Sequence, residues 1–497
     1  MKLEQNLIRY IDAGFPILYI NSYEEKKVDD IIKKSACGRR IFEWNGVAGF
    51  TDFDTKTSMS LADSSLSGTL KFLLETGDIN GSLVVLKDIQ SLLDAPETIS
   101  VLKRISGMIG AGEIETSIII VSSVRKIPRE LEPYITIFDM DYLSTEEIRK
   151  VIGEFTEVNH VETIRPELLE EMSVAFKGLS EFEIQNILAL AYADDGELTR
   201  KDLSLIFEQK QQMILKSGIL EMIPLKESLD DIGGLENLKK WLMKKARILK
   251  NTEKAQEFGV DIPKGVLIAG VPGCGKSLNA KAAAKLFEIP LLRLDMGRLM
   301  GKYVGESEAN MRKAIALAEA IAPCVLWVDE LEKAFAGIGG NGGGADITTR
   351  LFGNFLTWMQ EKKSAAFVVA TANDITKLPP ELLRKGRFDE IFYVGLPNDM
   401  ERKKIFEIHI SKRRKQDLED IDLDMLTSKT RGYSGADIEG VVKESIENVY
   451  SEGKDRLTTE DILEAVRNTH SLSEIMREPL KKMTEEYENR KFKNASA

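Results

Sequence analysis

The sequence predicts an α/β fold built twice in tandem, each copy a largely parallel sheet followed by a small helical segment. Three observations predict it. Short apolar runs of strand length alternate with helical stretches through both halves. Two stretches recur at similar offsets: Lys177-Gly-Leu-Ser returns as Arg431-Gly-Tyr-Ser 254 positions later, and Lys126-Ile-Pro-Arg-Glu-Leu as Lys377-Leu-Pro-Pro-Glu-Leu 251 positions later. A glycine loop, Gly270-Val-Pro-Gly-Cys-Gly-Lys-Ser277, stands between a strand pattern and a helix pattern in the second half alone.

In the first half, Phe15–Ile20, Ser82–Leu86 and Ser117–Val121 read as strands. In the second half, Gly265–Ala269, Cys324–Val328 and Ala366–Ala370 do the same, and Lys276–Phe287 reads as the helix after the glycine loop. Each strand ends in polar residues, as strands do when their carboxyl ends line a ligand crevice. The repeated segment near Lys177 and Arg431 places Ile184, Ile187 and Leu188, then Ile438, Val441 and Val442, at helical i, i+3, i+4 spacing. Lys216–Ser228 reads as a linker, Gly337–Gly344 as a mobile glycine-rich loop, and the stretch after Ser471 as a charged helix.

Bulk composition narrows the function. The chain has 497 residues, a formal net charge of −12, 43% hydrophobic and 30% charged residues. That balance weighs against a nucleic-acid partner, which calls for a basic stripe. The run Lys412–Lys415 reads as a solvated helix end. The three cysteines, Cys37, Cys274 and Cys324, are far apart and form no CxxC pair, which fits a reducing compartment such as the cytoplasm. The first residues lack the apolar core of a signal peptide, and no apolar run is long enough to cross a bilayer.

The chemistry is carried by the second half. Gly270–Ser277 fits GxxxxGK[ST] in full, between a strand and a helix. Its glycines let backbone N–H groups approach phosphates at a helix N-terminus. Lys276 can reach the β and γ phosphates, and Ser277 can ligate Mg²⁺. Asp329-Glu330 ends the second strand, with Asp329 placed to hold Mg²⁺ through water and Glu330 to act as general base. Asn373 ends the third strand and could orient water or touch the γ-phosphate. Arg384 and Arg387 follow on a loop where nothing in the same chain is obliged to pair with them, as expected of arginine fingers donated to a neighbouring subunit. The first half offers Asn21-Ser-Tyr-Glu-Glu-Lys-Lys after its first strand and Lys87-Asp88 at its second. With no glycine loop and two repelling glutamates, it is expected to bind no nucleotide.

Together these motifs resemble the AAA family of ATPases, in the clade with katanin, spastin and the vesicle-fusion ATPases, over Ser228–His470. The carrying residues are Asp231-Ile-Gly-Gly, the phosphate loop, Tyr303-Val-Gly-Glu-Ser-Glu, Asp329-Glu330, Thr371-Ala-Asn, Arg384 and Arg387, and Gly432-Tyr-Ser-Gly-Ala-Asp. The degenerate first copy and the tail from Leu472 look like the AAA proteins of algal plastids and cyanobacteria. The resemblance implies a P-loop ATPase with a helical lid, using ATP and Mg²⁺. It implies nucleotide contacts from Asp231, Ile232, Gly233, Gly270, Pro272, Gly273, Cys274, Gly275, Lys276, Ser277, Leu278, His409, Gly435 and Ala436, and a pore loop of Lys302, Tyr303 and Val304 that grips substrate. Cys274 stands where the family has threonine and is expected to make the site thiol-sensitive. The family's Asp-Gly pair is missing near Met359-Gln-Glu-Lys-Lys, and no HExxH follows the ATPase.

The expected division is a degenerate AAA-like domain at 1–140, its lid at 141–217, the ATPase large domain at 218–400, its lid at 401–470 and a C-terminal helix at 471–497. The expected assembly is a hexamer acting on an unidentified protein, in the cytoplasm or, for a plastid-encoded chain, the stroma. The alternative is an ATP-gated scaffold that binds partners through the first copy without threading.

Overall fold

The structure, a computed structural model, describes residues 2–497 except 23, 141, 162–163, 217, 300–305, 336–343 and 385. The chain divides into two compact units: Met1–Ser173 with Leu179–Leu198, and Val174–Gly178 with Thr199–Ala497.

The first unit is built on strands β1 (Ile17–Asn21), β2 (Arg40–Asn45), β3 (Gly49–Asp52), β4 (Ser82–Lys87), β5 (Ser117–Ser122) and β6 (Ile135–Asp139). They lie in the order β3-β2-β4-β5-β1-β6, all parallel except the β2–β3 hairpin. The runs Ser82–Lys87 and Ser117–Ser122 are buried along their whole length. Helices cover both faces, so the parallel strands read as continuous apolar runs rather than alternating ones. One face packs Tyr19, Phe42, Leu86 and Ile120, the other Leu18, Val85 and Ile119.

The second unit contributes β7 (Leu220–Ile223), β8 (Gly265–Gly270), β9 (Leu291–Leu294), β10 (Cys324–Val328), β11 (Ala366–Ala372), β12 (Glu390–Val394) and β13 (Lys493–Asn494). Their order is β13-β12-β8-β11-β10-β9-β7, with only β7 antiparallel to its neighbour. The five parallel strands β9-β10-β11-β8-β12 repeat the order β2-β4-β5-β1-β6 of the first sheet, and each sheet adds an antiparallel edge strand from a different place in the chain, β3 after β2 but β7 before β8. The repeated helices match as well. Ser180 and Ser434 both form capping boxes, with Glu183 and Asp437, and Ile184, Ile187, Leu188, Ile438, Val441 and Val442 are all buried. After β12 come the lid helices Asp399–Arg414, Leu423–Lys429, Gly435–Ser451 and Thr459–Asn468, around a core of Phe406, Ile410, Leu426 and Ile462.

Three expectations need correction. The stretch taken as a linker contains β7, because Leu220 and Met222 bury one face against the second core while the backbone pairs with β9. The tail is more than a charged helix. Leu472–Ile475 and Arg477–Asn489 are helical, Tyr487 stacks on Tyr393 with ring centroids 4.2 Å apart, and β13 then joins the sheet beside β12. The basic run is not simply solvated: Lys412 pairs with Asp231, Arg413 with Glu439 and Arg414 with Asp417. The glycine-rich stretch, over 337–343, lies outside the described residues.

Candidate functional site

The site forms at the carboxyl ends of β8, β10 and β11, which lie side by side. β8 ends at Gly270 with φ +149°, where a Cβ would sit 2.1 Å from the Val394 carbonyl oxygen, so glycine alone fits. The chain then turns into the helix Lys276–Phe287. Gly273, at φ +73°, takes the N–H of Ala436 onto its carbonyl at 2.9 Å, and a Cβ there would press on Ala436 and Ser434 at 3.0 Å. The loop thus meets the start of the lid helix Gly435–Ser451 directly.

Lys276 is 6% exposed and donates to the carbonyls of Gly270 at 2.9 Å and Val271 at 2.7 Å. Burial pushes its ammonium pKa down to about 8. Ser277 Oγ donates to Asp329 Oδ1 at 3.0 Å, and Thr371 Oγ1 donates to the same oxygen at 2.6 Å. These hard oxygen ligands on adjoining elements suit a small divalent cation. Thr371 also accepts the N–H of Glu330 at 3.0 Å, so one hydroxyl locks both acids into position. Glu330 has φ +50°, which turns its carboxylate off the strand axis. Asn373 Nδ2 donates to Glu330 Oε1 at 3.2 Å, and Lys333 pairs with the same carboxylate. The Asn373 N–H reaches Glu332 Oε1 at 3.0 Å. Glu332 is 6% exposed, and its second oxygen has no hydrogen-bond partner among the described residues.

The residues expected around the base divide. Asp231 is held by Lys412 at 2.7 Å and by the Ser228 N–H at 2.7 Å, and the Lys412 hydrogen bond is the main reason its carboxyl is pulled down to about 2. Ile232 is buried, and Gly233 lies so close to the lid that a Cβ would meet Ile405 at 2.5 Å. His409 is half-buried, with Nδ1 3.3 Å from Arg413 Nη1 and 4.0 Å from Glu439. Burial lowers its pKa, with the Glu439 carboxylate opposing the fall and the cations Arg413, Lys412 and Lys443 adding to it. Pro272, Gly275 and Leu278 are partly exposed along the loop and first helical turn.

Two expectations change here. Cys274 is not a reactive thiol: it donates to the Pro272 carbonyl at 3.7 Å, and burial pushes its pKa up to about 11, which suppresses the thiolate. Arg387 does have a partner in its own chain, the Glu381 carbonyl, while Arg384 is exposed. Their loop runs into Asp389, whose N–H donates to the Gly265 carbonyl at 2.9 Å, at the end of β8 opposite the phosphate loop of the same chain. The phosphate loop begins at the other end of this 6-residue strand, roughly 17 Å away at about 3.3 Å per residue. Lys302, Tyr303 and Val304 lie outside the described residues.

Sequence reasoning gave no role to Thr371 or Glu332. Thr371 stands in a quoted motif, but its double hydrogen bond depends on β10 and β11 being neighbours. Glu332 is the next acid after Asp329-Glu330, two positions beyond Glu330, and could have been singled out by that spacing.

The first unit has a different arrangement at the matching place. The register pairs Ala269 with Ala372 and Val328 with Ala370 in one sheet, and Asn21 with Ser122 and Leu86 with Ile120 in the other. Lys87 therefore stands where Asp329 stands, and Asp88, at φ +52°, where Glu330 stands. The Lys87 ammonium is 2.8 Å from Asp29 and 3.4 Å from Glu43, and Lys56 bonds Glu43 at 2.5 Å. An internal ion-pair network occupies the position of the acidic pair.

Comparison with known proteins agrees with this geometry. Residues 266–396 match the ATPase family associated with various cellular activities (AAA), and 420–464 match the AAA+ lid domain. Residues 3–140 and 146–217 match the N-terminal and second domains of SpoVK-like AAA ATPases. The uncharacterized AAA domain-containing protein ycf46 of Guillardia theta is 38% identical over 93% of this chain and 90% of its own length. Its namesake in Pyropia yezoensis is 37% identical, covering 94% of each. The ATP-dependent zinc metalloprotease FtsH of Thermotoga maritima is 36% identical over 48% of this chain and 39% of its own.

Proposed function

Since the chain belongs to the AAA ATPase family, with the ycf46 proteins among its relatives over nearly their whole length, we propose that it hydrolyses ATP at one site per chain and uses the cycle, as a hexameric ring, to remodel a protein substrate. The observation that carries the reading is the convergence of Lys276, Ser277, Asp329, Glu330, Thr371 and Asn373 at the ends of three adjacent strands.

In this reading the backbone N–H groups of Gly273–Ser277 and the helix dipole receive the phosphates. Lys276 exchanges the Gly270 and Val271 carbonyls for phosphate oxygens. Asp231, Ile232, Gly233, His409, Gly435 and Ala436 border the nucleoside from the large domain and the lid. Ser277 and Asp329 would hold Mg²⁺, which when bound neutralises charge on the phosphate oxygens. Glu330 leaves Lys333, takes the proton of the attacking water, and is kept in line by Asn373. Arg384 and Arg387 reach the site of the neighbouring subunit, in keeping with a loop that runs into the end of β8 opposite their own phosphate loop.

The domain division stated above completes the reading: a passive first copy, then the motor, its lid and the tail. Among the described residues no helix is long and apolar enough to cross a membrane, in keeping with work in the cytoplasm or stroma. The test is Glu330→Gln, which should bind ATP, lose roughly 10²–10⁴ in kcat and accumulate the assembled form. Turnover at the wild-type rate would refute the general base.

A second reading, a scaffold gated by ATP, is favoured by the missing Asp-Gly pair at Met359-Gln-Glu. Tyr303→Ala separates the two. Threading requires the aromatic grip, so substrate stimulation of ATPase should vanish while basal turnover stays. A scaffold should lose nothing.

A further inference from the structure

The placement of the arginine loop depends on a residue with no part in the nucleotide site. Lys264 precedes β8. Its ammonium donates to the Gln360 carbonyl at 2.5 Å and the Gly386 carbonyl at 2.8 Å. Gln360 lies in the last turn of the helix Gly344–Glu361, where unpaired carbonyls concentrate negative potential. Gly386 lies between Arg384 and Arg387 at φ +99°, a conformation that favours glycine and aims its carbonyl at the lysine. The Lys264 N–H donates to Asp389 Oδ2 at 3.0 Å, and the Lys245 ammonium holds the same oxygen at 3.1 Å. The loop is therefore pinned on both sides of Arg387 by residues at the start of the strand whose far end carries the phosphate loop.

We propose that Lys264 is a positioning residue for the arginine loop, fixing Gly386 so that Arg384 and Arg387 project toward the next subunit's nucleotide; this rests on the reading that the fingers act in trans. The lysine touches neither nucleotide nor the acids. Its loss acts on the neighbour's turnover and leaves its own chain's ATP binding alone. A misplacement of about 1 Å at a reacting centre can cost about 10²-fold in rate, so Lys264→Met should lower kcat by roughly 10- to 100-fold.

The experiment measures kcat and KM for ATP on full-length Lys264→Met, Lys264→Arg, Arg387→Ala and Glu330→Gln chains, alone and mixed. Expected are a fall in kcat at unchanged KM for Lys264→Met and retention of most activity by Lys264→Arg, which keeps the donors. Hydrolysis by Lys264→Met should recover when Glu330→Gln chains, whose fingers are intact, are mixed in, and should not recover with Arg387→Ala chains. Wild-type turnover by Lys264→Met beside a dead Arg387→Ala would overturn the role of Lys264 and leave the trans fingers standing. Active Arg387→Ala would overturn the trans fingers themselves. If Glu330→Gln chains rescue Arg387→Ala but not Lys264→Met, the lysine acts on its own site and the proposal is wrong. A Lys264→Arg chain as slow as Lys264→Met would also count against it.

Discussion

Replacing Lys87 by methionine should unfold the first unit locally. Lys87 is 7% exposed at its side chain and Glu43 is 5% exposed. Around them two ammonium groups, Lys87 and Lys56, face Asp29 and Glu43, with Glu25 a third carboxylate 4.0 Å from Lys87. Methionine keeps most of the lysine stem's volume, so the change removes charge rather than packing. It leaves Asp29 and Glu43 with Lys56 alone of the two ammonium groups and Glu25 nearby, and breaking a buried pair in this way costs about 3–5 kcal/mol. At about 1.4 kcal/mol per tenfold, amides in β2 and β4 should exchange at least 100-fold faster. Hydrogen exchange by mass spectrometry on the full chain reads this, with β8, β10 and β11 as the internal control because they have their own core. The pH dependence has a definite sign. Burial raises the pKa of Glu43, but the Lys56 hydrogen bond and the Lys87 and Lys56 charges more than offset it, so the folded value lies below the ordinary one. Such a group contributes stability above the ordinary carboxylate range, and that contribution is lost as the pH falls through the folded value. The penalty of Lys87→Met should therefore shrink in acid. Unchanged protection of β2 and β4 at neutral pH, or a penalty that grows toward acid, would refute the argument.

Three further outcomes are expected. Full-length Lys276→Ala should bind no ATP, because the first unit has no glycine loop after Asn21 and carries Lys87 and Asp88 where the second unit has Asp329 and Glu330; a remaining micromolar site by calorimetry would contradict this. Lys276, pushed to about 8 when no phosphate faces it, should take up a proton on binding ATP above that pH, weakening affinity by up to about tenfold per pH unit; titrations in buffers of different ionisation enthalpy at alkaline pH should detect the uptake, and its absence would show that the ammonium is already charged. Deleting residues 491–497 should lower the thermal midpoint, since the Ala495 carbonyl accepts the N–H groups of Asn237 and Leu238 at 3.0 and 3.2 Å and caps the helix Glu236–Lys250, a contribution of about 1 kcal/mol; an unchanged midpoint would show the cap to be idle.

What the sequence revealed follows from the range of each interaction. The helix Lys276–Phe287 and the strand Cys324–Val328 were read with their observed bounds, because a glycine loop and an apolar run are local signals. The acids Asp329 and Glu330 announce themselves at a strand end. The duplication was readable from two short matches, and the strand orders extend it to the five parallel strands of each sheet. What sequence could not supply are bonds between residues distant in the chain. Lys264 looks like any surface lysine until Gly386, 122 positions on, lies against it. Leu220–Ile223 is too short to stand out from a linker, and Lys493–Asn494 carries no strand pattern at all. The inertness of Cys274 is a matter of burial, which composition does not report.

The cap on the helix Glu236–Lys250 also sets a clock during biosynthesis. Asn237 Nδ2 bonds the carbonyl of Asn494, 257 positions later. At roughly 5–20 residues per second of translation, that interval is roughly 10–50 s. Throughout it the helix start has no cap, and for the last part of it, from Val394 to Lys493, the outer edge of β12 has no partner. Exposed strand edges invite pairing with other chains, so a nascent chain passes through a window of vulnerability on the ribosome. By then every residue of the nucleotide pocket, through Ala436, has been made. The delay falls on the sheet's rim, and a chaperone that shields the β12 edge is the kind of helper this folding order calls for.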